Sequence, residues 1–173
     1  MNEILNAIHT RRSVRAFKAE LPKESDIDAV ITAGIEAASG RNYQSPIIVA
    51  VTDKATRDKL AKVNAEIMER EGDPFYGAPV ALVVLADKSR PTHVYDGSLV
   101  MGNLMLAAHS LGLGSCWIHR ARETFEMDEW KSWLASLGVE GEYEGIGICA
   151  LGYIDGEYPA ERPRNDGRVF FVK

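Results

Sequence analysis

The chain has 173 residues, with 20 Lys and Arg against 25 Asp and Glu, a net charge of −5, 46% hydrophobic and 26% charged residues. That length suits one domain spanning 1–173, because single cores stop growing only beyond roughly 250 residues, and the composition excludes both a disordered polyelectrolyte and a fibrous repeat. The acidic balance argues against sequence-independent binding to nucleic acid or to an anionic membrane. No basic-then-apolar leader opens the chain and no run of about 18 apolar residues occurs, which predicts a cytoplasmic protein. Cys116 and Cys149 stand singly inside apolar runs; they read as buried small hydrophobes and not as a zinc, dithiol or disulfide framework.

Periodicity interleaves helices and strands in one compact unit. Ile4, Leu5 and Ile8 mark a short first helix. A second follows Pro22, with Ser25 as N-cap, Asp28 three residues on, and Ile27, Val30, Ile31, Gly34, Ile35 and Ala38 on one face. Residues 47–51 read as a buried strand, and Leu60, Val63 and Ile67 as a helix that Gly72 terminates. A strand follows over 79–86. From Tyr95 to Leu111 nearly every position is apolar or small, which predicts a central helix buried on most sides and stopped by Gly112. Strands over 115–118 and 145–153 flank a helix carrying Trp130, Trp133, Leu134 and Leu137, closed by Gly138. The last run, Arg168 to Val172, has strand propensity after a polar stretch; it either completes the parent sheet or reaches onto a neighbouring chain. This pattern allows a parallel α/β sheet as well as an antiparallel one.

Arg11-Arg12-Ser13-Val14-Arg15 concentrates three guanidinium groups and a hydroxyl in an otherwise acidic chain. Guanidinium forks match phosphate oxygens bidentately and stay charged, so the cluster is either an anion site or a solvated basic face. A second basic pair, Arg162 and Arg164 around Pro163, would meet the first if both hold one anion; otherwise it is a charged loop tip. Ser39 to Pro46 brings Ser39, Asn42, Gln44 and Ser45 into eight residues, which suits either the edge of a heterocycle or an ordinary turn. Gly145-Ile146-Gly147 does not open a helix and so is no dinucleotide fingerprint. There is no Walker A motif, no GxSxG, and no close pairing among His9, His93, His109 and His119. His109, inside an apolar helix, reads as a hydrogen-bonded core residue.

Together these segments resemble the FMN-dependent nitroreductase superfamily, in particular its short single-domain members. The resemblance spans almost the whole chain and is carried by residues 11–15, the Ser39 to Gln44 loop, Gly77-Ala78-Pro79, Asp96 opening the helix that leads into residues 111–118, and Gly152-Tyr153 followed by Arg162-Pro163-Arg164. It implies an α+β fold, a three-layer α/β/α sandwich with a mostly antiparallel sheet. It also implies a domain-exchanged homodimer with two flavin sites at the subunit interface and the C-terminal segment embracing the partner.

Carried over by position, the resemblance implies that Arg11, Arg12 and Ser13, with Arg162 and Arg164, hold the FMN phosphate by converging across two chains. Arg15 would lie near the pyrimidine edge, Ser39, Asn42, Gln44 and Asn64 would contact ribityl or ring atoms, and the backbone at Ile118 and His119 would face flavin N5. Phe75 and Tyr76, between Asp73-Pro74 and Gly77, would form an aromatic lid over the open flavin face or else pack as an ordinary loop. Two departures touch the substrate pocket: Ser45-Pro46 stands where many members follow the Gln with Pro-Trp, and His119 where glycine is common. The implied activity is ping-pong transfer of hydride from NAD(P)H, through FMN, to small electron-poor acceptors such as nitroaromatics or quinones, with no side-chain nucleophile and no metal. The alternative is a protein that stores or delivers FMN.

Overall fold

The computed structural model describes all residues 1–173. Six helices and four strands follow in the order α1 (Glu3–Thr10), α2 (Glu24–Ile35), β1 (Pro46–Val51), α3 (Lys54–Ile67), β2 (Val80–Asp87), α4 (His93–Ser110), β3 (Gly114–Ile118), α5 (Ala121–Glu126), α6 (Asp128–Ser136) and β4 (Tyr143–Gly152). The strands form one sheet in the order β1-β2-β4-β3, antiparallel throughout. The fold is therefore α+β, and the parallel option is excluded.

The sheet works as a partition because its central strands are apolar over residues 80–86 and 145–152 and alternate faces. Ala81, Val83, Leu85, Ile148 and Ala150 join Leu60, Phe75, Phe125, Trp130 and Leu134 on the side of α3, α5 and α6. Val80, Leu82, Val84, Cys149 and Leu151 join Ile27, Val30, Met101 and Leu104 on the side of α2 and α4. Two cores back to back make the three layers. The register shifts between Val84 and Leu85, which leaves Ile146 unpaired between Gly147 and Gly145. Both glycines are there for space: a Cβ on Gly145 would run into the Ala121 carbonyl, and one on Gly147 would lie 2.6 Å from Trp117 Nε1. The bulge thus seats the start of α5 and the end of β3 closely on β4.

Several local expectations need correction. Ser25 does not cap α2; the helix starts at Glu24 after Lys23, which makes no side-chain cap bond, and Glu24 and Asp26 place negative charge in the first turn instead. Gly72 does not end α3. Glu69 takes the left-handed position at φ 51° and Arg70 N–H donates to Ala65 O at 3.1 Å, the closure that Gly112 and Gly138 provide for α4 and α6. Helix α5 was not anticipated, since it is only six residues long and follows a left-handed Arg120 with no capping side chain. Residues 168–172 form no strand and complete no sheet; Phe170 and Phe171 are 86% and 82% exposed.

The central helix is buried on one face only. Asp96, Gly97, Val100, Met101, Leu104 and Ala108 face the sheet, whereas Tyr95 and Leu99 are 72% and 51% exposed on the other side. Ile4, Leu5 and Ile8 of α1 are likewise exposed, which leaves an apolar surface unmatched within the chain. No helix is long and apolar enough to cross a membrane.

Candidate functional site

The strand-like segment after α1 is held against β3 by Val14 N–H donating to Ser115 O at 3.0 Å, with Val14 buried. This directs its neighbours outward into a cleft of about 490 Å³ lined by Arg11, Arg12, Ser13, Arg15 and, from the other end of the chain, residues 159–162 and Arg164. The two basic clusters do meet, and they meet within one chain. Five guanidinium groups face a single carboxylate, Glu161, whose Oε2 lies 3.6 Å from Arg12 Nη2. Arg12 also donates through Nη1 to the carbonyls of His9 and Arg11, at 2.7 and 2.9 Å. Arg11 Nη1 is buried and has no partner. An unpaired buried donor in a cationic cleft is the condition an oxyanion would satisfy.

Arg15 links this cleft to a second. Its guanidinium carbon lies 6.0 Å from the centroid of Tyr76, and Tyr76 lines a cavity of about 290 Å³ together with Ala65, Met68, Trp117, Ile118 and His119. Tyr76 is a non-glycine residue at φ 56°, held in a loop whose turns are closed by Asp73: its carboxylate accepts from the N–H groups of Phe75 and Gly77, both at 2.8 Å, and pairs with Arg57 Nη2 at 2.5 Å. Phe75 is no lid. It is fully buried in the core, with the Arg57 guanidinium 5.2 Å above its ring, because the loop turns the two adjacent aromatics to opposite sides. Of the expected pair only Tyr76 faces the cavity.

Asn64 is also placed differently from expectation. It is fully buried and donates from Nδ2 to the His119 carbonyl at 2.6 Å, which fixes the backbone at the end of β3, while its Oδ1 has no partner. The imidazole of His119 is exposed beside Trp117, with ring centroids 6.1 Å apart.

The Ser39 to Gln44 loop is strained and internally tied. Arg41, Asn42 and Gln44 all have φ near +50°. Ser39 Oγ accepts from Gln44 N–H at 3.0 Å, and Gln44 Nε2 donates to Asn42 Oδ1 at 3.2 Å. The loop is anchored by a residue that sequence reading noticed only as a helix opener: Asp96, 3% exposed, accepts from Gly40 N–H at 2.9 Å, Thr92 Oγ1 at 2.9 Å and Ser45 Oγ at 3.4 Å. In one chain this loop does not join the arginine cleft. It sits at the Asp96 end of α4, while the cleft sits at the His109 end, thirteen residues and so about 20 Å away along the helix.

Burial, reinforced by the Arg11 and Arg12 guanidiniums, holds the His109 imidazole below its usual range. Cys116 is pushed up by burial, and Cys149 by burial to about 12, so neither thiol is a nucleophile here. Both are free and buried, and no cluster of metal-ligating side chains exists.

Residues 8–153 match the model of the nitroreductase family. The chain belongs to that family. Among its relatives, a protein of Archaeoglobus fulgidus named as an NADH dehydrogenase/NAD(P)H nitroreductase is 29% identical over 98% of this chain and 97% of its own. The NADPH-flavin oxidoreductase of Vibrio harveyi is 30% identical over 98% of this chain and 72% of its own. The fold of this nitroreductase-family chain superposes on a nitroreductase with bound FMN from Bacteroides fragilis at a TM-score of 0.91 and 29% identity, covering 100% of each chain. The α+β sandwich expected from the resemblance is thereby shown, and with it the membership that residues 11–15, 39–44 and 111–118 suggested.

Proposed function

We propose that this chain binds FMN and uses it to pass reducing equivalents from NAD(P)H to small electron-poor acceptors, nitroaromatics or quinones. The observation that carries the reading is the meeting of Arg11, Arg12, Ser13 and Arg15 with Arg162 and Arg164 in one cleft that adjoins, at Arg15 and Tyr76, a cavity ending in the Ile118-His119 backbone. The donor set fits a phosphate dianion, and the unpaired Arg11 Nη1 gives it a specific partner.

FMN, when bound, supplies the hydride chemistry that no side chain here provides. The chain's own residues bind, orient and polarise. Arg11, Arg12, Ser13, Arg162 and Arg164 would hold the phosphate; Arg15 would place a permanent cation beside the pyrimidine edge; Asn64, through the His119 carbonyl, fixes the backbone next to the Ile118-His119 N–H that would face the ring. Tyr76 shapes the cavity mouth, and nicotinamide and acceptor use that mouth in turn.

The working unit we propose is a homodimer, with the C-terminal residues 168–173 lying on the partner. Its support is the unmatched apolar face of α1 and α4, the bare Phe170 and Phe171, and the 20 Å scale separation along α4 that keeps Ser39, Asn42 and Gln44 from the arginine cleft of their own chain. From a second copy the loop can reach it. Two free cysteines fit a reducing cytoplasm.

The test is anaerobic mixing of the FMN-loaded protein with NADH or NADPH, followed by a nitroaromatic. Bleaching of the flavin absorbance by the nicotinamide, then its recovery on adding the acceptor, is the expected result. Flavin that binds but is bleached by neither nicotinamide would leave a carrier of FMN in place of a reductase, and no binding of FMN at micromolar concentration would overturn the whole reading.

A further inference from the structure

The polar stretch after β4 is fastened to the body in a way that cofactor binding alone does not explain. Residues 153–155 pair antiparallel with 16–18: Lys18 N–H donates to Tyr153 O and Asp155 N–H to Ala16 O, both at 3.0 Å, with Phe17 bridging Ile154. Beyond Asp155, hydrogen bonds and ion pairs tie the segment down at two residues only, Tyr158 and Glu161. Glu161 is exposed, its contacts of 3.6 Å to Arg12 and 3.7 Å to His9 being weak surface pairs.

Tyr158, though itself 39% exposed, makes closer contacts. Its hydroxyl oxygen accepts the Arg12 backbone N–H at 2.7 Å and lies 3.2 Å from the Thr10 carbonyl and 3.1 Å from His109 Nδ1. Its ring stacks on that of His109, with centroids 5.6 Å apart and planes 21° from parallel. On the far side of the imidazole, His109 Nε2 is 2.8 Å from Thr10 Oγ1, and the Thr10 hydroxyl donates to Asn6 O at 2.8 Å. With the Thr10 proton spent on Asn6, Nε2 carries the ring proton toward Thr10, and Nδ1 and the Thr10 carbonyl are the two acceptors that share the single phenol proton. The suppressed basicity of His109 agrees with this neutral tautomer. One phenol therefore joins the end of α1, the face of α4 and the backbone of the arginine segment.

Four residues after Tyr158 comes Arg162, and two later Arg164. Like charges in one cleft repel, so a segment bearing two arginines needs a neutral fastening to stay over three more. We infer that Tyr158, backed by His109, is a latch that positions residues 159–164 over the Arg11–Arg15 segment and so sets the affinity of the cleft for a phosphate monoester. The inference rests on the FMN reading above and adds to it two positioning residues that need not touch the cofactor.

The experiment compares wild type, Tyr158→Phe, which keeps the stacked ring and loses the hydroxyl, and His109→Gln, which can still donate to Thr10 and loses the Nδ1 acceptor. Each is titrated with FMN and with riboflavin, by fluorescence, and with inorganic phosphate in competition. We expect FMN and phosphate binding to weaken about tenfold in either variant and riboflavin binding to stay unchanged. The double variant should be little worse than Tyr158→Phe alone, because His109 acts on the segment through Tyr158. Hydrogen exchange at the Arg12 amide should quicken in Tyr158→Phe before any ligand is added. Wild-type FMN affinity in both variants would overturn the latch, as would an equal loss for riboflavin, which marks general loosening. Failure of the wild type itself to bind FMN would instead strike the cofactor reading, and the latch's assigned purpose with it.

Discussion

Replacing Asp96 by Ala removes the one carboxylate that ties the Ser39 to Gln44 loop to α4. Three donors lose their acceptor: Gly40 N–H and Thr92 Oγ1 at 2.9 Å, and Ser45 Oγ at 3.4 Å. Hydrogen bonds to a charged acceptor contribute about 1.5–3 kcal/mol each, and the 3.4 Å contact counts for little, so the two short bonds give about 3–6 kcal/mol. Those values are already net of solvation, so a destabilisation of about 3–6 kcal/mol follows, or a fall in Tm of about 9–18 °C for a chain of this size. The loop would be hit first, because its three left-handed residues stay in place only while their neighbours hold them. Thermal unfolding at fixed protein concentration measures the loss, with Ser45→Ala as the control expected to cost under about 1 kcal/mol. A Tm within about 2 °C of wild type for Asp96→Ala, or an equal fall for Ser45→Ala, would refute the anchoring argument.

Other expectations follow from the same contacts. His109 binds fewer protons folded than unfolded, so its contribution to stability is complete above the unfolded value near 6.5 and is lost as the pH falls through the lower folded value; urea melts of His109→Gln should show a flatter pH dependence below about pH 6.5, and an unchanged slope would contradict the assignment. Cys116 and Cys149, buried and with thiols pushed up, should resist a maleimide in the native protein and react only on unfolding; fast native labelling would show that β3 and β4 open far more than their packing implies. Leu99→Glu, on the exposed face of α4, should turn the proposed dimer into monomers in sedimentation velocity while leaving the chain folded. A variant that sediments as the wild type does would argue against that face as the interface.

Strands and long helices were legible because their apolar periods are enforced on both sides of the sheet: β2 and β4 read as continuous runs, and they pack against two cores. What escaped the sequence is what side chains do for each other at a distance. The Schellman closure at Glu69 was misassigned to Gly72 because glycine is the usual signal and a glutamate gives none. The burial of α4 was overestimated because apolar residues on its outer face read the same whether a sheet or another chain covers them. In the site, Arg11 to Arg15 and Arg162 with Arg164 were found by charge, which composition makes conspicuous. Asp96, Tyr158 and the true placement of Asn64 and Phe75 were not, because a buried anchor and a solvent-facing contact have the same letters, and only the fold tells them apart.

One cleft, built from the two ends of the chain, is proposed to grip the phosphate of FMN. It is tested most directly by titrating the wild-type protein with FMN and with riboflavin in parallel, alongside Arg162→Ala/Arg164→Ala. The account predicts one FMN per chain and riboflavin bound at least about 100-fold more weakly, since several charge-assisted bonds of about 1.5–3 kcal/mol depend on the phosphate. It also predicts that the double variant loses most of the difference between the two flavins. Equal affinity for FMN and riboflavin, or a double variant that still discriminates between them as the wild type does, would contradict it.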